Sequence, residues 1–206
     1  ILESLPQNTR RTDALDAEQI AGWWTGTEQL SNRTASVYLR ALLLTGARRE
    51  EMAALRWQDV DFRWRKLTIA DKVEMTRTIP LTPYLAQLLA TLPRVGPYVF
   101  ASTGKAGRIV DARASHDQVL EHAQVKHLTF HGLRRTFIRQ GRNIAPLGVP
   151  AQMAGHTPSA VADGYAILPM DELRPHAERV EAHILSLAGV QFDAQAEPGA
   201  LRVVAG

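Results

Sequence analysis

Six side chains of this 206-residue sequence, in chain order, are of the types that can work on a phosphate without a metal: Arg48, Lys72, His131, Arg134, His156 and Tyr165. Arg48 follows Thr45-Gly46-Ala47 and leads into Arg49-Glu50-Glu51-Met52-Ala53-Ala54-Leu55-Arg56-Trp57. The glycine permits a sharp helix–helix junction, and Arg48 opens the second helix. There a guanidinium and backbone N–H groups can face one anion. His131 and Arg134 lie three apart in His131-Gly132-Leu133-Arg134-Arg135-Thr136. At the start of a helix that spacing puts both on one side, with Leu133 packed inward. Gly155-His156 precedes Gly164-Tyr165, the tyrosine nine residues after the histidine, and Lys72 lies between two strands ahead of Arg77-Thr78-Ile79-Pro80-Leu81. Each stretch alone has a plain structural reading: a turn arginine, a capping His/Arg pair, a turn histidine with a packed tyrosine, a hairpin-tip lysine. Together, in the order Arg, Lys, His-x-x-Arg, His, Tyr, they make a set for metal-free phosphoryl transfer.

The elements that must hold these groups follow from pattern. Asp16 and Gln19 signal a helix carrying Ile20, Trp23 and Trp24 on one face. Ser31 opens a stronger helix with Val37, Leu39, Leu42, Leu43 and Leu44, stopped near Gly46. A short helix is predicted from Arg48 to about Trp57. The period then changes to two, and Val60–Phe62, Leu67–Ile69 and Arg77–Leu81 read as three short strands. Thr82-Pro83 starts a helix with the stripe Leu85, Leu88, Leu89 and Leu92. Tyr98–Phe100 reads as a brief strand and Ser102–Arg108 as a loop. Helices are expected over Ala112–Ala123, Gly132–Gln140, a short stretch into Ala154, and Asp171–Ala188. The class is α+β: mainly helical, with a small three-stranded antiparallel sheet toward the N-terminal side.

Composition removes other classes. With 45% hydrophobic and 22% charged residues the chain is neither a disordered tail nor a membrane bundle, and no apolar run nears ~18 residues. There is no cysteine, hence no disulfide framework and no thiolate nucleophile. Gly104-Lys105 lacks the upstream glycine of a phosphate-binding loop, and His122, His127 and His131 lie five and four residues apart with only Glu121 beside them, too little to suggest a metal site. The net charge of +3 hides a division: residues 1–162 carry +7 and the remainder −4. Of 24 basic residues 20 are arginine, a type suited to bidentate phosphate contacts but also enriched by GC-rich coding.

The Thr-Gly-Ala-Arg…Glu…Leu-Arg-Trp opening, the His-x-Leu-Arg-Arg-Thr box and the Gly-His…Tyr close resemble the catalytic domain of tyrosine recombinases, the phage integrase family, from about Leu15 to Leu187. The resemblance implies a DNA strand transferase. Arg48 and Arg134 would stabilise the phosphate oxygens, and Tyr165 would attack. His131 would assist proton transfer, His156 would donate a hydrogen bond to the phosphate, and Lys72 would protonate the departing 5′-oxygen. A free phenol has a pKa of about 10, so only ~0.1% is ionised at pH 7 and the site must help remove the proton. The product would be a 3′-phosphotyrosyl bond, formed and reversed without ATP, metal or any cofactor.

The same resemblance implies double-stranded DNA as partner, a homo-tetramer on DNA, no membrane association and a cytoplasmic, nucleoid-associated location. Residues 1–12 read as a linker from an N-terminal core-binding domain, 13–190 as the catalytic domain and 191–206 as a flexible tail. The hairpin Lys72-Val73-Glu74-Met75-Thr76-Arg77 lacks the glycine usual beside the family's lysine, and Arg135 stands where many relatives have histidine, adding charge at the edge of the site. Two readings share much of the motif set: a type IB topoisomerase-like relaxation activity and a catalytically silent DNA-binding module.

Overall fold

A computed structural model describes residues 13–71, 75–146, 148–155 and 167–193. Its elements are α1 (Ala17–Glu28), α2 (Arg33–Thr45), α3 (Arg49–Ala53), β1 (Val60–Asp61), β2 (Lys66–Asp71), β3 (Met75–Pro80), α4 (Pro83–Ala90), α5 (Arg113–His122), α6 (Phe130–Gly141), α7 (Val149–Ala154) and α8 (Met170–Leu187). The mainly helical α+β class read from the pattern is the one found.

Helix α2 is the axis of the fold. Every residue from Ala35 to Thr45 is buried, as expected of a helix that is apolar nearly all round, and it packs against α1, α3, α4, α5 and α6. Its start lies one residue later than the Ser31 signal, because Asn32 is the cap, its side chain accepting from Ala35 N–H at 3.0 Å. Gly46 ends it in the left-handed region at φ +63°, and a Cβ there would come within 2.5 Å of the Phe137 ring. Only glycine allows both the turn and the close crossing of α6.

The helix expected from Arg48 to Trp57 is shorter than its pattern. It stops at Ala53, and the backbone then extends, with Trp57 N–H donating to Pro97 O at 3.0 Å and Val99 N–H to Leu55 O at 2.9 Å. These cross-chain bonds satisfy the groups that a continued helix would have paired internally. The Tyr98–Phe100 segment accordingly makes an isolated bridge, Tyr98 with Arg56, rather than a ladder strand, and the next residue, Ala101, bridges Arg108.

The sheet has the order β1-β2-β3, all antiparallel, with Leu67 opposite Ile79 and Ile69 opposite Arg77. Leu67, Ile69 and Ile79 are buried on its inner face. Arg77 shares that face by its two-residue spacing from Ile79.

Helix α8 folds back on its own chain, packing against β3, α1, α6 and α7 through Leu173, Ala177, Val180, Ile184 and Leu185. Arg174 donates to the carbonyls of Arg65 at 2.9 Å and Trp64 at 3.1 Å, fastening α8 to the β1–β2 turn. Beyond α8, Phe192 stacks edge-on to Tyr84 with ring centroids 5.2 Å apart. Among the described residues no helix is long and apolar enough to cross a membrane. The expected linker 1–12, and residues 194–206 of the tail expected over 191–206, lie outside the described residues.

Candidate active site

The turn at Gly46 throws Arg48 onto the start of α3, in an extended conformation (φ −70°, ψ 149°). Glu51, three residues on, takes it at two points. Its carboxylate accepts the Arg48 backbone N–H at 2.9 Å and the Arg48 Nη1 at 2.5 Å. The carboxylate also receives Arg77 Nη2 from β3 at 2.8 Å. Burial alone would push Glu51 up, but the hydrogen bonds from Arg77 and Arg48 overcome it and hold the carboxyl below its ordinary range. Glu51 is therefore ionised at neutral pH and fixes one edge of Arg48 while the Arg48 side chain stays 43% exposed.

Helix α6 supplies the second arginine. Thr129 caps it by accepting from Gly132 N–H at 3.0 Å, so α6 begins at Phe130, two residues before the expected start, and His131 lies in its first turn. Arg134 is only 2% exposed. Its Nη1 donates to Gly46 O at 2.8 Å and, through a very short contact, to Ala154 O, tying the end of α2 to the end of α7. Arg48 Nη2 reaches the next carbonyl, Gly155 O, at 3.4 Å. The last turn of α7 thus collects both arginines, directly ahead of His156 in the sequence.

Arg48, His131 and Arg134 line one cleft of about 610 Å³ with Ala47, Arg49, Thr129 and Phe130. Burial lowers the pKa of His131, and the nearby charges of Arg135, Arg134 and Arg48 lower it further. The imidazole is accordingly neutral at pH 7 and able to accept a proton. Arg135 does not leave its charge at the edge of the site uncompensated: its Nη1 is paired with the Asp13 carboxylate, which also accepts the Thr129 hydroxyl at 2.6 Å.

Of the six sequence candidates the structure brings Arg48, His131 and Arg134 together. Lys72, His156 and Tyr165 lie outside the described residues. Two residues at the site were not among the candidates, Glu51 and Arg77. Glu51 follows the Arg48 helix start by the three-residue spacing of a capping pair, and Arg77 falls on the inward face of β3; both signals were present in the sequence. Among the described residues no three His, Cys, Asp or Glu side chains are grouped as a metal site.

The junction of α2 with α3 thus carries Arg48, and the first turns of α6 bring His131 and Arg134 against it. Residues 12–170 match the model of the phage integrase family, and the chain belongs to that family, the tyrosine recombinases. Prophage integrase IntF of Escherichia coli strain K12 is 43% identical over 191 residues, covering 88% of this chain and 41% of that protein. The chain therefore spans about two-fifths of the length of that relative. The catalytic domain of bacteriophage HP1 integrase superposes with a TM-score of 0.55 at 19% identity, over 90% of this chain and 97% of that one. A lambda integrase tetramer bound to a Holliday junction gives 0.57 at 17% identity, over 75% of this chain and 50% of that one. At such identities the two structures establish the fold alone.

Proposed function

We propose that the chain is the catalytic region of a site-specific DNA recombinase that cleaves and rejoins strands through a 3′-phosphotyrosyl intermediate on Tyr165. The observation that carries this reading is the convergence of Arg48, His131 and Arg134 on one cleft. A phosphodiester entering there meets two guanidinium groups that remain charged at every working pH. They offset the charge that grows on the non-bridging oxygens as the new bond forms. His131 accepts the phenolic proton of Tyr165 during attack, His156 donates to a phosphate oxygen, and Lys72 returns a proton to the 5′-oxygen that leaves. Attack of a second 5′-hydroxyl on the phosphotyrosine reverses the step, so the bond energy is kept and no cofactor is consumed. The partner is duplex DNA in the cytoplasm, with four copies assembled on two sites, as the lambda relative's junction complex suggests by likeness.

The experiment is trapping on a nicked suicide duplex, whose site is first selected from random-sequence DNA by the full-length protein. The expected result is a covalent protein–DNA adduct that Tyr165→Phe abolishes. No adduct would overturn the assignment. Relaxation of supercoiled plasmid without recombinant product would replace it with the topoisomerase-like reading.

A further inference from the structure

We propose that Arg77 is a positioning residue for DNA cleavage, aiming Arg48 through their shared partner Glu51 and bracing the Gly155 turn by lying flat against it. The inference rests on the recombinase reading above.

Its basis is geometric. Arg77 occupies an inward position of β3, in register with Ile69 and two residues from Ile79, where the strand otherwise buries aliphatic side chains. Its side chain is only 9% exposed. A buried ion pair at such a place is weak as a source of stability, since a well-packed apolar residue often does as well. A guanidinium there points instead to something that charge and shape must do.

Two contacts show what that is. Arg77 Nη2 donates to Glu51 Oε2 at 2.8 Å, an oxygen that also accepts the Arg48 backbone N–H, while Arg48 Nη1 donates to Oε1 at 2.5 Å, so one carboxylate links the Arg48 side chain to β3. Without Arg77, Glu51 would keep its bonds to Arg48 but lose the one that ties the pair to β3, and Arg48 would lose its fixed reference. On its other side Arg77 meets Gly155, in the left-handed region at φ +77°. A Cβ at Gly155 would lie 2.7 Å from Arg77 Cζ and 2.8 Å from both Nε and Nη1. Near-equal distances to three atoms place the glycine over the face of the guanidinium, leaving its edge to make the ion pair. Gly155 O is in turn the acceptor for Arg48 Nη2 at 3.4 Å. Arg77 therefore lies against both residues that support Arg48, Glu51 and Gly155, without lining the cleft itself.

A misplacement of about 1 Å in a reacting arrangement can cost ~100-fold in rate. The full-length protein is assayed on the selected suicide duplex for single-turnover cleavage, and in parallel for DNA affinity and thermal midpoint. Arg77→Ala is expected to cleave about 100-fold more slowly with affinity within about threefold of the unsubstituted protein. Arg77→Lys, which can restore the ion pair but not the flat face, should recover about tenfold. Arg77→Ala added to Glu51→Ala should cost well under its single-variant loss, because the path through Glu51 is already broken and only the brace at Gly155 remains to lose. Should Arg77→Ala fail to fold, Arg77→Met keeps the apolar stem and replaces it in each arm. Cleavage at the unsubstituted rate, loss of affinity in step with rate, or additivity with Glu51→Ala would each overturn the inference. If the unsubstituted protein forms no adduct, the recombinase reading itself falls and this one with it.

Discussion

Glu181, on the last helix, accepts the hydroxyl of Thr82 at 2.5 Å, and its carboxylate also receives Tyr84 N–H at 3.0 Å and Leu85 N–H at 2.9 Å. The N-terminus of α4 is thus capped by a side chain 99 residues away in sequence from Thr82. Burial pushes the Glu181 pKa up more strongly than these three donors pull it down. Its folded value therefore lies above its unfolded one. The stability it adds by linkage is full below the unfolded value and declines as pH rises through the folded one. Glu181→Ala leaves three donors without their acceptor and should cost about 2–3 kcal/mol in urea unfolding. Glu181→Gln should cost less, and less near pH 7 than near pH 4.

His131 sets a second pH dependence. Its pKa is lowered by burial first and then by Arg135, Arg134 and Arg48, so the acid limb of the cleavage rate should fall below the ordinary histidine value of about 6.5. Arg135→Ala removes one of those cations and exposes His131 to the unpaired charge of Asp13. Both changes raise the histidine pKa, so single-turnover rates between about pH 5 and 8 should show the limb moved to higher pH. A limb that stays in place would remove His131 from the proton path.

Arg134→Ala should reduce cleavage about 100- to 1000-fold, the range for loss of one preorganised donor group, while DNA affinity falls less than about tenfold. Equal losses in rate and affinity would make Arg134 a phosphate anchor only. Arg134→Lys should not rescue the rate, because one ammonium cannot hold the Gly46 and Ala154 carbonyls and also present a planar fork to the phosphate.

Gly46→Ala tests the junction that aims Arg48. The left-handed backbone costs about 1–2 kcal/mol for an L-residue, and the new methyl meets Phe137 and Ala154. A total near 3 kcal/mol is expected in urea unfolding once overpacking of about 1–3 kcal/mol is included. Cleavage should fall as well, since the displaced Gly46 carbonyl is an Arg134 acceptor.

The parts of the site legible in the sequence are those set by near neighbours. Gly46 announces its own turn, Arg48 follows it, and the three-residue step from His131 to Arg134 fixes a common helix side whatever the rest of the fold does. The class of fold was equally plain, because the strand-period run of residues 60–81 sits between strongly helical stretches. What could not be read depends on contacts between distant segments. The α3 helix ends at Ala53 because residues 97–99 take over its hydrogen bonds, and nothing local to Ala54-Leu55 says so. Arg77 finds Glu51 across 26 residues, and a hairpin arginine has no local mark of an inward partner other than its alternation with Ile79. Glu181 resembles any acidic residue of an amphipathic helix until α4 is brought beside it.

The clasp by α8 has a consequence for the order in which the molecule becomes competent. Arg174 closes the β1–β2 turn and Glu181 closes the head of α4, so the middle of the chain receives its last hydrogen-bonding partners from its final helix. During synthesis the arginines leave the ribosome long before the frame that aims them is complete. A chain interrupted ahead of Met170 would present those arginines with neither closure in place. The cleft of Arg48, His131 and Arg134 is thus expected to settle only when translation of this region has run through α8.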